Sequence, residues 1–152
     1  MARTKILMVC LGNICRSPLA EGILKNKVNP SKVFVDSAGT GGYHIGEKAD
    51  SRSIEVARAH GIDITDQRCR KFSKSDFADF DNIYVMDKSN YSNVLALATS
   101  EDEVKKVNLL LDVVNDPRQE VPDPYYGGSD GFEKVYQMID QACSLIADNF
   151  ND

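Results

Sequence analysis

The residues best suited to chemistry lie together near the start of the chain, in Cys10-Leu11-Gly12-Asn13-Ile14-Cys15-Arg16-Ser17. A cysteine opens this stretch and an arginine stands six positions later. A free thiol titrates near ~8.5, and a helix N-terminus with a cation nearby lowers that to about 3.5–7.5, so Cys10 could be a thiolate nucleophile at neutral pH. Arg16 offers a planar fork that can hold two oxygens of a tetrahedral oxyanion, which lysine cannot match. Ser17 can donate a hydrogen bond to the thiolate or cap the helix before Pro18, and the two roles are compatible. Gly12 permits the chain to reverse. Asn13 tolerates a left-handed conformation and can pin the loop through its side chain. A cysteine at the end of an apolar strand is also commonly a small buried hydrophobe; its position here is what argues for chemistry.

Breaking a phosphoester through a thiolate needs an acid to protonate the leaving oxygen. Asp123, held between Pro122 and Pro124 in a loop expected to overhang the site, is the best candidate. Asp-Pro is equally a turn signal. Tyr125 and Tyr126 could wall a slot for an aromatic ring or pack on the surface. Other chemistries fit poorly. Gly41 to Gly46 has the separation of a nucleotide-binding loop, but Glu47 stands where the lysine is required. Cys10 and Cys15 are too far apart for a zinc knuckle, and His44 and His60 lack ligand spacing, so no metal is expected.

The elements that must position these residues follow from the pattern around them. Lys5–Val9 reads as a buried parallel strand, and Pro18 opens a helix whose stripe Ala20, Ile23, Leu24 carries it to about Lys27. Strand, tight loop and helix N-terminus gather unpaired N–H groups around one point, with the positive end of the helix dipole aimed at it. Further strands are expected at Val33–Asp36, Asn82–Met86 and Val107–Leu111. Helical patterns cover Ser51–Ala59 with a stop at Gly61, Asp76–Phe80, the stretch capped near Asp87, and a last helix from about Gly131. The expected fold is α/β: a four-stranded parallel sheet with helices on both faces and a phosphate-binding loop between strand 1 and helix 1. The loops after Val9, Val35 and Leu111 leave the carboxyl ends of the strands, where ligands bind in such sheets.

One domain over residues 1–152 suits this length, and 42% hydrophobic with 27% charged residues is ordinary for a globular protein. A net charge of −5 argues against nucleic-acid or anionic-membrane partners, so attraction for an anionic substrate must be local. The four scattered cysteines and the short N-terminal apolar run point to a reduced, cytoplasmic setting without a signal peptide.

With Cys10 through Pro18 and Asp123-Pro124-Tyr125-Tyr126 together, the chain resembles the low-molecular-weight protein tyrosine phosphatases over essentially its whole length. Asp36-Ser37-Ala38-Gly39-Thr40 and Met86-Asp87-Lys88-Ser89-Asn90 also resemble segments of that family. The resemblance implies a two-step reaction without metal or other cofactor, acting on phosphotyrosine-containing proteins as a monomer. Cys10 would form a phosphocysteine, Arg16 and the loop would hold the phosphoryl oxygens, and Asp123 would act as acid and then base. Leu11, Gly12, Asn13, Ile14, Cys15 and Ser17 would form the binding loop, Ser37 would help hold Asn13, and Tyr43 would line the substrate slot. Tyr125 and Tyr126 resemble tyrosines phosphorylated in some relatives. Cys15 resembles a second loop cysteine that forms a reversible disulfide with Cys10. Gln67 stands where relatives often carry a histidine bracing the loop through Asn13, so altered loop rigidity is expected.

Three other readings share these features. Arsenate reductases use the same fold, but need two further cysteines close together, and Cys69 and Cys143 are far apart. Protein-arginine phosphatases carry threonine where Ile14 stands. A non-catalytic phosphotyrosine-binding module would not need Cys10 and Asp123.

Overall fold

Four apolar runs form four parallel strands, β1 (Thr4–Cys10), β2 (Val33–Gly39), β3 (Asn82–Val85) and β4 (Val107–Leu109), in the order β2-β1-β3-β4. The computed structural model describes residues 3–115, 120–124 and 129–150. Because side chains alternate across a strand, β1 feeds both faces of the sheet. Ile6, Met8 and Cys10 enter one core and Leu7 and Val9 the other. The first core is covered by α1 (Arg16–Lys25), α2 (Ser51–Ala59) and α6 (Ser129–Phe150), the second by α3 (Asp76–Asp79) and α4 (Lys88–Leu95). A short helix α5 (Glu101–Lys105) leads into β4. The parallel sheet covered on both faces is the expected architecture.

The register places Cys10 opposite Gly39 and Val9 opposite Val85; from here the chain leaves β1 for β2 on one side, while β3 leads to β4 on the other. That is the switch point at which open parallel sheets leave a crevice. The stripe read from the sequence seals α6 onto the first face, with Phe132, Val135, Tyr136, Ile139, Ala142, Cys143 and Ile146 all buried.

Several boundaries differ from the sequence expectation. Helix α1 begins at Arg16 and ends at Lys25, so its N-cap is Cys15 and Ser17 is already helical. Pro18 is the third helical residue rather than the first, still within the turn whose N–H groups lack intrahelical partners. Strand β2 runs on through Gly39, beyond Asp36, because Ser37, Ala38 and Gly39 pair with Met8, Val9 and Cys10. Strand β4 stops at Leu109, and Leu110–Val114 winds into a 3-10 helix closed by Asn115 at φ 52°. Leu110 and Leu111 are buried in the first core, and a short apolar run does not by itself distinguish strand from helix. Helix α5 was not expected, although Ser100 accepts from the N–H of Glu103 in the Ser-x-x-Glu pattern of a helix start. Among the described residues no helix is long and apolar enough to cross a membrane.

Candidate active site

The loop after β1 is shaped by what happens to its carbonyls. Thr40 N–H donates to Cys10 O at 2.9 Å, Gly41 N–H to Leu11 O at 2.8 Å and Asp50 N–H to Ile14 O at 2.8 Å. Cys69 Sγ donates to Asn13 O at 2.9 Å, and Ser53 Oγ to Cys15 O at 3.3 Å. The surrounding protein thus takes the carbonyls outward. Among the described residues, the N–H groups of Gly12 through Arg16 have no hydrogen-bond partner. Unpaired N–H groups at a helix N-terminus form a ready cradle for an anion. Two positions make the path possible. Asn13 sits at φ 58°, a left-handed conformation that asparagine tolerates better than most side chains. Gly39 lies so close that an added Cβ would stand 2.7 Å from Leu11 O and 3.0 Å from Asn13 N.

The sulfur of Cys10 is buried at the floor of this loop, 3.1 Å from Ser17 Oγ. Asn13 Nδ2 donates to Ser17 Oγ at 2.8 Å and to Ser37 Oγ at 3.0 Å, while its Oδ1 accepts from Arg70 N–H at 2.9 Å. With one lone pair of Ser17 taken by Asn13, its hydroxyl proton can point to the sulfur or, at 3.4 Å, to Ala38 O. Asn13 and Ser17 are buried behind the loop and do not line the cavity, so they shape the anion site without reaching into it. Gln67 does not reach Asn13. Its Nε2 donates to Pro18 O at 3.1 Å and its buried Oε1 has no partner among the described residues, so Arg70 and Cys69 brace the loop instead. Serine at 37 meets Asn13 as expected.

Arg16 is 3% exposed, and Nη1 is fixed by Asp87 Oδ2 at 2.6 Å and by Val121 O at 2.9 Å. Burial opposes its charge, but Cys10, Asp87 and Asp123 outweigh that and raise its pKa above the ordinary arginine value. Among the described residues its other donors have no hydrogen-bond partner, which leaves them for a ligand in the cavity. Asp87 was not among the expected site residues. Its other oxygen caps α4 by accepting from Asn90 N–H at 2.8 Å, so one carboxylate starts a helix and orients the guanidinium. Asp123 lies across the cavity, with Oδ2 3.8 Å from Arg16 Nη2 and its side chain 42% exposed. The strap carrying it is tied to the end of β3 by Val121 N–H donating to Met86 O at 2.7 Å.

Cys10, Leu11, Gly12, Ile14, Cys15, Arg16, Tyr43 and Asp123 meet around one cavity of about 390 Å³. Leu11 and Tyr43 are exposed at its mouth, and the Tyr43 ring folds back over Gly41. His44, unassigned from the sequence, also lines the cavity; its ring packs beside Gly12 and its Nδ1 meets Glu47 at 2.9 Å. Tyr125 and Tyr126 lie outside the described residues. The missed residues Asp87 and His44 lie 71 and 34 positions from Arg16 and Cys10, beyond the reach of any local pattern. Cys15 is buried and its thiol is pushed up to about 12 by burial, with Asp50 and Cys10 adding to the effect. Among the described residues no group of His, Cys, Asp and Glu is arranged to hold a metal ion.

Comparison with known proteins finds the same architecture. The family model for low molecular weight phosphotyrosine protein phosphatases matches residues 5–151. A low molecular weight phosphotyrosine protein phosphatase of Schizosaccharomyces pombe is 42% identical over 144 residues, covering 90% of each chain. The crystal structure of a protein tyrosine phosphatase from Entamoeba histolytica, with Hepes in its active site, superposes with a TM-score of 0.88 at 40% identity and covers 94% of both chains. A Drosophila arginine phosphatase is similar in structure as well, with a TM-score of 0.89 at 33% identity, covering 96% of this chain and 97% of that one.

Proposed function

The chain belongs to the low molecular weight phosphotyrosine protein phosphatase family of hydrolases, and on that premise we propose how its residues divide the work. The observation that carries the proposal is the Cys10 sulfur beneath loop N–H groups that have no partner among the described residues, with Arg16 and Asp123 lining the same cavity. Cys10 attacks phosphorus as a thiolate. The phosphorus–oxygen bond to the tyrosine ring breaks while Asp123 delivers a proton to the departing phenolate oxygen. Asp123, now a carboxylate, takes a proton from the water that attacks the phosphocysteine, and the thiolate leaves. The loop N–H groups and Arg16 hold the equatorial oxygens throughout, stabilising charge where it develops. Leu11, Ile14 and Tyr43 wall the aryl slot.

The substrates are phosphotyrosine-containing proteins, handled without a metal or other cofactor by a single cytoplasmic domain working as a monomer. A second reading, hydrolysis of phosphoarginine, is prompted by the Drosophila arginine phosphatase. Isoleucine at 14 beside the cavity favours the aryl substrate. The deciding experiment compares peptides carrying phosphotyrosine, phosphoserine and phosphoarginine, in the presence of a chelator. Turnover of phosphotyrosine alone, lost in Cys10→Ser by several orders of magnitude, is the expected result. Preference for phosphoarginine, or retained turnover in Cys10→Ser, would overturn the assignment.

A further inference from the structure

The hydrogen-bond chain behind the loop does not stop at Ser37. Ser37 Oγ donates to Glu21 Oε1 at 2.6 Å, and Glu21 Oε2 accepts from Lys25 one turn further along α1. Glu21 is 4% exposed on a helix whose neighbouring residues are buried. Burial pushes its pKa up, the hydrogen bonds from Lys25 and Ser37 pull against that shift, and nearby Asp36 adds to it. A buried carboxylate is costly to hold, and an apolar side chain of similar volume would serve packing better.

We propose that Glu21 is a positioning residue for the phosphatase reaction, one that sets the direction of the proton donors reaching Cys10. Arg70 N–H can only donate, so Asn13 turns Oδ1 toward it and Nδ2 toward the two serines. The Glu21 carboxylate can only accept, so the single Ser37 proton is committed to it and Ser37 meets Asn13 with a lone pair. Both ends then agree. Asn13 spends its two N–H donors on Ser37 and Ser17, and the Ser17 proton is left for the Cys10 sulfur. Without the carboxylate, Ser37 can turn its proton toward Asn13. Asn13 then keeps Oδ1 on Arg70 but loses one of the two contacts that aim Nδ2 at the serines, and the Ser17 proton is less firmly directed at the sulfur. The chain of contacts runs from a lysine side chain 49% exposed at the surface to the nucleophile.

The inference rests on the phosphatase reading, and the test separates the two. Alkylation of Cys10 by iodoacetate is followed against pH in the full chain, beside kcat and KM for an aryl phosphate and the thermal midpoint. Cys69 and Cys143 do not line the cavity, and Cys15, which does, is replaced by serine in every protein of the series so that the signal is that of Cys10. In Glu21→Ala the alkylation profile moves to higher pH and kcat falls about tenfold, the size expected for one hydrogen bond to a charged group, with KM little changed. Glu21→Gln, whose amide oxygen still accepts from Ser37, recovers most of both. Ser37→Ala adds no further loss in the Glu21→Ala background, as members of one network are not additive. Glu21→Leu keeps the buried volume and carries the same test where the alanine variant folds poorly; its thermal midpoint is at least that of the wild type. An alkylation profile unmoved in the folded variants, or losses that simply add, overturns the proposal. Failure of the wild type to hydrolyse aryl phosphates overturns the phosphatase reading while the alkylation profile still decides the role of Glu21.

Discussion

Asp123 stands 3.8 Å from Arg16 and is partly open to water, a placement suited to a group that must trade protons with a leaving oxygen and then with a water molecule. Asp123→Asn should lower kcat on phenyl phosphate by roughly 10²–10⁴-fold, and by much less on an ester whose leaving group needs no proton. Equal losses on the two esters would remove the acid role. Cys15 poses a different question at the same scale. Its thiol is held neutral by burial, yet it lines the same cavity as Cys10. If peroxide converts Cys10 to a sulfenic acid, attack by the Cys15 sulfur releases water and forms a disulfide that a thiol can reopen. The raised pKa makes that attack faster as pH rises toward the Cys15 value. Recovery of activity by added thiol after peroxide should therefore be greater for the wild type than for Cys15→Ser, with the gap widening at alkaline pH. Identical recovery would end the idea.

Between elements, the loop is held by partners from several segments. The end of β2 supplies Gly39, Thr40 and Gly41, the start of α2 supplies Asp50 and Ser53, and the stretch before α3 supplies Cys69 and Arg70. Gly39→Ala tests this directly. The new Cβ would meet loop backbone, which cannot swing aside as a side chain can. We expect a loss of about 1–3 kcal/mol of stability, the usual cost of overpacking, and a fall in phosphate-competitive inhibition as the loop is displaced. Denaturant unfolding and inhibition by inorganic phosphate check the two effects; an unchanged inhibition constant would show that the loop does not rest on Gly39. The sequence marked α2 and α6 well because each carries one clear helical period, and β1 because its apolar run is short and ends at a tight loop. It placed the end of β4 wrongly because Leu109, Leu110 and Leu111 are all buried and their pattern fits either geometry. It misplaced the start of α1 because the cap is Cys15, a residue with no capping signature.

At the scale of the whole molecule, an acidic chain of net charge −5 must take up an anionic substrate against its own field. The local cradle overcomes this only at short range, and salt screens the rest: the Debye length falls from ~30 Å at 0.01 M to ~10 Å at 0.1 M. For a phosphopeptide with acidic flanks, kcat/KM should rise several-fold between those salt concentrations, and for phenyl phosphate it should change much less. A rate that falls equally with salt for both would point to a cationic approach surface instead. The sequence by itself marked Cys10 and its loop, since Cys10 through Pro18 are contiguous and lie between a strand and a helix that local patterning reveals. Only the tertiary structure decided which groups serve that loop. Asp87 reaches Arg16 from the end of β3, Val121 and Asp123 from the strap before α6, Arg70 reaches Asn13, and Glu21 meets Ser37 across α1 and β2. Those contacts join positions 16 to 107 residues apart, so no local period encodes them, and they exist because a parallel sheet delivers the carboxyl ends of its strands to one edge.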